Sequence, residues 1–456
     1  MFNLANIKKT WYYLQKNGIA NTYYAVAERL YARKSDLYPD KGYQYEPVPE
    51  AELNRQCSVS FTNKYRFSIL VPMYETKPEF AKAMIDSVLA QTYPHWELIL
   101  ADASKSNLVC DTVAEYADER IRYHRLEKNG GISENTNGAL VLATGDYIGL
   151  LDHDDFLTPD ALFEMASCLE TADREGKTVA FVYSDEDKCD SNAENYYEPN
   201  VKPKFNLDLL LSNNYICHFL VMKADLMKGL QFRPEYDGAQ DFDLVLRAAL
   251  KKAPQEEILH VEKVLYHWRC HEGSTAANPR SKQYAYEAGK RAVEAALKEF
   301  LGELHGIVER MAALENDFCV NGIPVWVAHT KHNGFYRVIY GKETAEDIFA
   351  VRKDIGMIVG SVKKRRKITG GIKNDKGSCP YAGLHVKFSG YLHRNILAQD
   401  CEQADLDNAV IRPEVLEELK KEKLNPNLSE QNAEICRFIR EKGYTILYDP
   451  LFEKQH

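Results

Sequence analysis

Three aspartates in the tetrad Asp152-His153-Asp154-Asp155 follow directly on the apolar run Tyr147 to Leu151. A strand that ends this way delivers several carboxylates together to its carboxyl edge, and clustered carboxylate oxygens suit a hard divalent cation such as Mg2+ or Mn2+. A cation held there can neutralise the charge on a departing diphosphate. An isolated Asp-Xaa-Asp is more commonly a solvated acidic turn, so the weight rests on its surroundings. A second acidic strand end, Ser184-Asp185-Glu186-Asp187-Lys188, closes the run VAFVYS. Two further carboxylates, Asp241 and Asp243, lie in GAQDFDLVLR, where a helix is expected to begin. His267 and His271 in HWRCH stand four apart, the spacing of a metal pair on a helix. The segment EILHVEKVLYHWR has instead the pattern of a strand running into a loop.

The elements that must position these groups alternate. FSILV, ELILA, RIRYHR and DYIGLL are short strand-like runs, separated by helical patterns at Glu79 to Leu89, Leu108 to Tyr116 and Ser133 to Ala143. A further helix is expected from Pro159 to Ala172, with Thr158 as its cap. Such alternation predicts an α/β domain with a mostly parallel, Rossmann-like sheet whose ligands collect at the carboxyl ends of the strands. Pro72, Asp102 and Asp152 each follow or end one of those strands, so three distant segments converge on one crevice.

The chain has 456 residues, 45% of them hydrophobic and 27% charged, enough for at least two domains. No run of apolar residues reaches the length of a membrane span, and the start MFNLANIKKTWYYLQ lacks the apolar core of a secretory signal, so a cytoplasmic protein is expected. Ten cysteines, none in a Cys-Xaa-Xaa-Cys pair, suggest neither a zinc site nor a disulfide framework. A net charge of −9 argues against nucleic acid as a partner. Before residue 35, however, Lys8, Lys9, Lys16, Arg29, Arg33 and Lys34 face only Glu28. Ile7, Trp11, Leu14, Tyr23, Ala27 and Leu30 recur near helical spacing, which predicts one or two basic amphipathic helices separated at Asn17-Gly18. These either lie on an anionic membrane surface, the inner face of the plasma membrane, or pack on the catalytic domain or on a second subunit. Residues 35–64, with Pro39, Gly42, Pro47 and Pro49, have the composition of a linker.

The motifs VPMYET (Val71 to Thr76), SVLAQTYPHWELILAD (Ser87 to Asp102), NGGISENTNGAL (Asn129 to Leu140), TGDYIGLLDHDD, YSDEDK, GAQDFDL and YHWRCHEGSTA occur in the order found in family 2 glycosyltransferases. Over about residues 65–300 the chain resembles bacterial members of that family that build surface polysaccharides, including rhamnan-type chains. The resemblance implies a GT-A fold, a nucleotide-diphosphate sugar donor, UDP- or dTDP-linked, a Mn2+ or Mg2+ ion and inversion at the anomeric carbon. It implies that Pro72, Tyr74 and Glu75 border the base, that Asp102 hydrogen-bonds it, and that Asn135 lies near the diphosphate. Asp152 would face the ribose or the metal, with Asp154 the principal metal ligand and His267 completing the site. Arg269 and His271 would contact the diphosphate from a loop able to close over the donor. Asp241 would be the base and Asp243, two residues along the same helix, should point elsewhere. Family members often have Asp-Asp-Gly-Ser where this chain has Asp102-Ala103-Ser104-Lys105, so contacts at that loop differ.

The acceptor, a saccharide or lipid-linked saccharide, is expected along Tyr196 to Phe219. Three domains are expected: basic helices and linker at 1–64, a catalytic domain at 65–302, and at 303–456 a smaller α/β module. The last resembles the acceptor-binding half of a related transferase, with Asn432 where the base would fall. It is expected to serve docking, homo-oligomer formation or polymer binding, or to be an unrelated α/β appendage. The basic run Lys363 to Lys367 within it is either a solvated face or a contact with anionic membrane. The rival reading of the whole chain is a catalytically silent carbohydrate-binding or scaffold protein.

Overall fold

The computed structural model describes residues 4–271, 283–306, 309–310, 318–374 and 376–454. Helix α1 (Leu4–Ala32) opens the chain, followed by α2 (Glu50–Cys57), β1 (Phe67–Met73), α3 (Pro78–Leu89) and β2 (Trp96–Asp102). Next come α4 (Leu108–Val113), β3 (Ile121–Arg125), α5 (Ile132–Leu142), β4 (Tyr147–Leu150), β5 (Phe156–Leu157) and α6 (Ala161–Arg174). β6 (Thr178–Cys189), β7 (Tyr196–Asn200), α7 (Leu207–Ser212), β8 (Leu220–Lys223) and α8 (Ala224–Leu230) precede α9 (Gln240–Lys251), β9 (Glu256–Arg269) and α10 (Gln283–His305).

Two compact units result. Gly42–Phe205 with Asn214–Ala296 form one; Met1–Lys41, Asn206–Asn213 and Leu297–His456 form the other. The first holds a nine-stranded sheet in the order β3-β2-β1-β4-β8-β6-β9-β5, with β7 added on β6. β3, β2, β1 and β4 run parallel, as do β6 and β9; β8, β7 and β5 join antiparallel. The α/β architecture expected from the alternating pattern is therefore present. Its core draws on Phe67, Ile69 and Val71 from β1 and Leu98 and Leu100 from β2, near-continuous apolar runs of the kind a sheet covered on both faces requires.

Local chemistry corrects two details of the sequence reading. The stretch expected to be a linker contains α2, which starts after Pro49, carries Glu50 and Glu52 in its first turn, and buries Gln56 against Thr92 at 2.8 Å. Helix α6 begins at Ala161 with Asp160 at the N-cap; Thr158 does not cap it but donates its hydroxyl to Asp160 at 2.6 Å.

In the other unit, α1 is broken at Gly18, whose φ of 76° leaves the helical region, as the Asn17-Gly18 pair suggests. The strands Ile323–His329 and Tyr336–Tyr340 pair antiparallel. A four-stranded sheet places Ile355–Val359 between Thr445–Tyr448, parallel to it, and Ala409–Ile411, antiparallel. Asn432 opens the helix Asn432–Glu441 with its side chain buried.

The units divide the chain differently from the sequence-based boundaries at 64/65 and 302/303, and hydrogen bonds give the reason. Residues 42–64 are tied to the large sheet: Tyr43 donates to Asp187 at 2.8 Å and the Thr62 hydroxyl to Glu170 at 3.0 Å. Helix α1 is tied elsewhere, because Glu28 accepts from the Ser389 amide at 2.9 Å and the Gly390 amide at 2.7 Å. Within the same unit Asp208 of α7 receives both Nη atoms of the buried Arg352, at 2.7 and 3.0 Å. No described helix is long and apolar enough to cross a membrane.

Candidate active site

Adjacent parallel strands bring the expected segments to one edge. Met73 of β1 lies opposite Asp102 of β2, and the amide of Leu151 donates to Leu70 at 3.1 Å, so the aspartate tetrad leaves the sheet beside the end of β1. Gly149 makes the close packing of β4 feasible: a Cβ there would lie 2.8 Å from Ile69 Cδ1 and 3.0 Å from the Phe219 ring.

The members of the tetrad diverge in surroundings. Asp154 Oδ2 lies 2.8 Å from His271 Nε2, and Asp152 Oδ2 lies 3.9 Å from His218 Nε2. Asp155 turns inward, accepting from the Tyr266 hydroxyl at 2.6 Å and the Arg269 amide at 2.8 Å. Burial, followed by the charges of Asp154 and Asp152, pushes its carboxyl well above the usual range. One ligand atom each from Asp152, Asp155 and His218 lie within 4.8 Å of one another. His218 Nδ1 is buried without a hydrogen-bond partner among the described residues, and its ring stacks on Tyr266 with centroids 4.4 Å apart. Carboxylate oxygens beside imidazoles, one of them holding an orphaned nitrogen, are a donor set that fits Mg2+ or Mn2+.

The acidic end of β6 supports this cluster. Glu186 accepts from the His218 amide at 3.1 Å, while the buried Lys202 ammonium reaches the carbonyls of Ile216, at 2.6 Å, and His218. Asp185 accepts the Lys202 amide at 2.8 Å and lies 2.8 Å from His260 Nε2. Asp187 lies 2.6 Å from Nδ1 of His267. His267 is buried on β9, its Nδ1 held by Asp187 and its ring enclosed by those of Tyr45, Phe156 and Tyr196, while His271 and His218 approach Asp154 and Asp152.

Helix α9 carries the two candidates for a base, and their partners differ. Asp243 is buried and bound by Arg247, Nη2 at 2.7 Å and Nε at 2.9 Å, and by Arg233. Asp241 meets uncharged groups: Asn214 Nδ2 at 2.8 Å and the Cys217 thiol at 3.7 Å. It is also close enough to Asp152 to help raise that residue's carboxyl, after desolvation and the Asp154 charge, with His218 opposing. Asp243 is thus committed to its two arginines, whereas the Asp241 carboxylate is held by an amide and a thiol.

The residues expected at the nucleotide lie along the same edge. Asp102 is buried and already engaged, by the Ser104 amide at 2.9 Å, the Tyr123 hydroxyl at 2.7 Å and Arg125 at 3.0 Å. Glu75, at a φ of 47°, accepts from the Lys105 amide at 2.7 Å and the Ser106 hydroxyl at 2.6 Å, bonds that with the nearby Arg125 hold its carboxyl below the usual range. These bonds fix the loop where Ala103-Ser104-Lys105 departs from the family pattern. Pro72 sits within β1 and Tyr74 just beyond it is exposed. Asn135 ties down the glycine loop, accepting the Gly130 amide at 3.1 Å and donating to Asn129 at 2.9 Å. Arg269 is buried between the rings of Phe80 and Phe156, each 5.0 Å from its guanidinium carbon; its Nε donates to the Asp154 carbonyl at 2.8 Å, and Nη2 is without a partner among the described residues. The loop expected to close over the donor, from Glu272 through Ala277, lies outside the described residues.

His218, Asn214 and Cys217 are the residues the sequence did not single out. They lie in SNNYICHF, a stretch without metal-ligand spacing; Lys202 and Glu186, outside that stretch, hold the backbone at Ile216 and His218.

Residues 68–230 match the family described as Glycosyl transferase family 2. The chain is 41% identical over 240 residues, 52% of its length, to Uncharacterized protein y4gI of Sinorhizobium fredii (strain NBRC 101917 / NGR234), covering 26% of that protein. It is 32% identical over 230 residues to the O-antigen biosynthesis protein RfbC of Myxococcus xanthus, covering 50% of this chain and 17% of that protein. It thus spans about a quarter or less of these two curated relatives. S. aureus TarS 1–349 in complex with UDP-GlcNAc aligns with a TM-score of 0.42 at 19% identity, over 53% of this chain and 73% of that one.

Proposed function

We propose that this chain, which carries a family 2 glycosyltransferase domain over residues 68–230, transfers a sugar with inversion from a nucleotide-diphosphate donor, UDP- or dTDP-linked, to a saccharide or lipid-linked saccharide acceptor. The observation that carries this reading is the joint environment of Asp152, Asp154 and Asp241: carboxylates near one strand edge, partnered by imidazoles, an amide and a thiol. The kinship with an O-antigen biosynthesis protein supports bacterial surface polysaccharide as the product class.

Asp152, Asp155 and His218, with Asp154 and its partner His271, would hold Mn2+ or Mg2+; such an ion supplies positive charge against the diphosphate. Asp241 accepts the proton of the acceptor hydroxyl as that oxygen bonds to the anomeric carbon and the bond to the diphosphate oxygen breaks. Asn214 orients the Asp241 carboxylate. Arg269, with Nη2 unengaged, offers a donor to a phosphate oxygen. The smaller unit is a reduced transferase-like or interaction module, with Asn432 in place of a base, and the protein works in the cytoplasm at the inner membrane face.

Screening UDP- and dTDP-sugars with Mn2+ for thermal stabilisation tests the donor class, since a ligand at a hundred times its Kd adds about 2.7 kcal/mol. A stabilising donor should then be turned over by the wild type and not by Asp241→Asn. Full turnover by that variant would refute the role of Asp241, and failure of every sugar nucleotide to stabilise would refute the reaction class.

A further inference from the structure

Helix α1 presents an apolar face that no described residue of its own unit covers. Trp11, Ile19, Tyr23, Val26 and Leu30 are between 47% and 81% exposed, and the last four are spaced four, three and four apart, which puts them on one side of the helix. The opposite side is fixed. Tyr24 stacks on His385 at 5.2 Å, Tyr31 packs on Phe388 at 5.6 Å, and Glu28 is consumed by Ser389, Gly390 and Tyr38. Since Glu28 is the one acidic residue before position 35, the charges left outward are basic: Arg29, Arg33 and Lys34 are all exposed.

The same unit carries a second basic feature, physically joined to this one. Val362–Lys364 and Lys367–Gly370 form a hairpin whose two-residue turn is Arg365 and Arg366, at φ 49° and 64°. Asparagine and glycine ordinarily fill a turn with both residues at positive φ; side chains of arginine's bulk are strained there. Folding does not call for arginine at these positions. All five residues Lys363 to Lys367 are exposed, and of these only Lys363 forms an ion pair among the described residues, with Glu453 at 3.3 Å. Arg366 accepts the Val386 amide at 3.0 Å and Lys367 bridges to His385, the residue stacked on Tyr24 of α1. Residues 385–390 therefore hold the basic hairpin and the amphipathic helix in one assembly.

We propose that α1 and the Lys363–Lys367 hairpin form one docking surface for an anionic phospholipid bilayer, with Ile19, Tyr23, Val26 and Leu30 entering the interface and the arginines and lysines meeting the headgroups. Charge complementarity selects this occupant: a second copy would bring the same positive surface against it, whereas an anionic headgroup layer is its complement. The surface specifies the peripheral location given above and does not depend on the transferase chemistry.

The test is co-sedimentation of the full chain with phosphatidylcholine vesicles, with and without phosphatidylglycerol. Binding should require phosphatidylglycerol and weaken as salt rises. Arg365→Asn with Arg366→Gly, which suits the turn and leaves folding intact, should weaken it by about tenfold or more. Tyr23→Ser with Leu30→Ser should weaken it separately while leaving circular dichroism unchanged. Equal sedimentation with both vesicle types, no binding at low salt, or variants that alter the sedimentation coefficient of the protein alone rather than vesicle binding would overturn the proposal.

Discussion

The buried acid of the smaller unit and the aspartates of the crevice use the same side chain to opposite ends. Asp208 is closed off by Arg352 through two short bonds, and Arg352 is bound again by Asp354 at 2.7 Å. Asp152, Asp154 and Asp241 are instead met by imidazole, amide and thiol groups. The same contrast recurs two residues apart on α9, where Asp243 is locked by arginines and Asp241 is not. A guanidinium takes both oxygens of a carboxylate and fixes its charge, which serves folding; weakly charged or neutral partners leave lone pairs for a cation or a proton, which serves chemistry.

Substitutions sharpen this contrast. The largest expected effect is on rate: Asp241→Asn should lower transfer by ~10²- to 10⁴-fold while leaving donor binding and melting temperature near wild type. Asp243→Ala and Arg352→Met should do the reverse. Each strands a buried charge, at a cost of about 3–5 kcal/mol, visible as a lower midpoint in chemical denaturation. Should Asp241→Asn unfold the protein, or Asp243→Ala leave it stable, the division between structural and chemical aspartates would fail.

Among the histidines, His218→Ala and His271→Ala should each weaken Mn2+ binding by about 10- to 100-fold in calorimetry, with a smaller loss for His267→Ala. The reverse ranking would place the metal site at His267, as the family resemblance implies.

A smaller effect is expected from pH in the unit without the aspartate cluster. His332 and His393 stack at 3.7 Å; burial, then neighbouring His393, Lys331 and Lys16, depress His332 to about 2, and burial with Lys331 depresses His393 to about 4. Both are neutral when folded and protonate near 6.5 when unfolded, so their stabilising contribution is whole above that pH and lost as pH falls below it. For His393 alone the loss by pH 5 is about 2 kcal/mol, and thermal melts of His393→Asn should show a flatter decline between pH 7 and 5.

The sheet, the position of the tetrad and the helix carrying Asp241 were legible because each rests on local pattern: apolar runs, a strand-end acidic cluster, a helix start. The surroundings of the histidines were not legible, because spacing along β9 says nothing of what lies across the sheet, where Asp187 on the neighbouring strand binds His267. His218 was invisible for the same reason: its backbone is held by Lys202 and Glu186. Helix α2 was hidden by the prolines before it, and the grouping of α1 with residues 385–390 depends on Glu28 finding amides some 360 positions away.

Manganese binding measured by electron paramagnetic resonance on wild type, Asp152→Asn, Asp154→Asn and Asp243→Asn is the most direct test of a cation held by the tetrad. Wild type and Asp243→Asn should take up Mn2+, with a spectrum that changes on adding the stabilising sugar nucleotide, and the other two should lose it. Undiminished Mn2+ binding by Asp152→Asn and Asp154→Asn would contradict the assignment of the crevice.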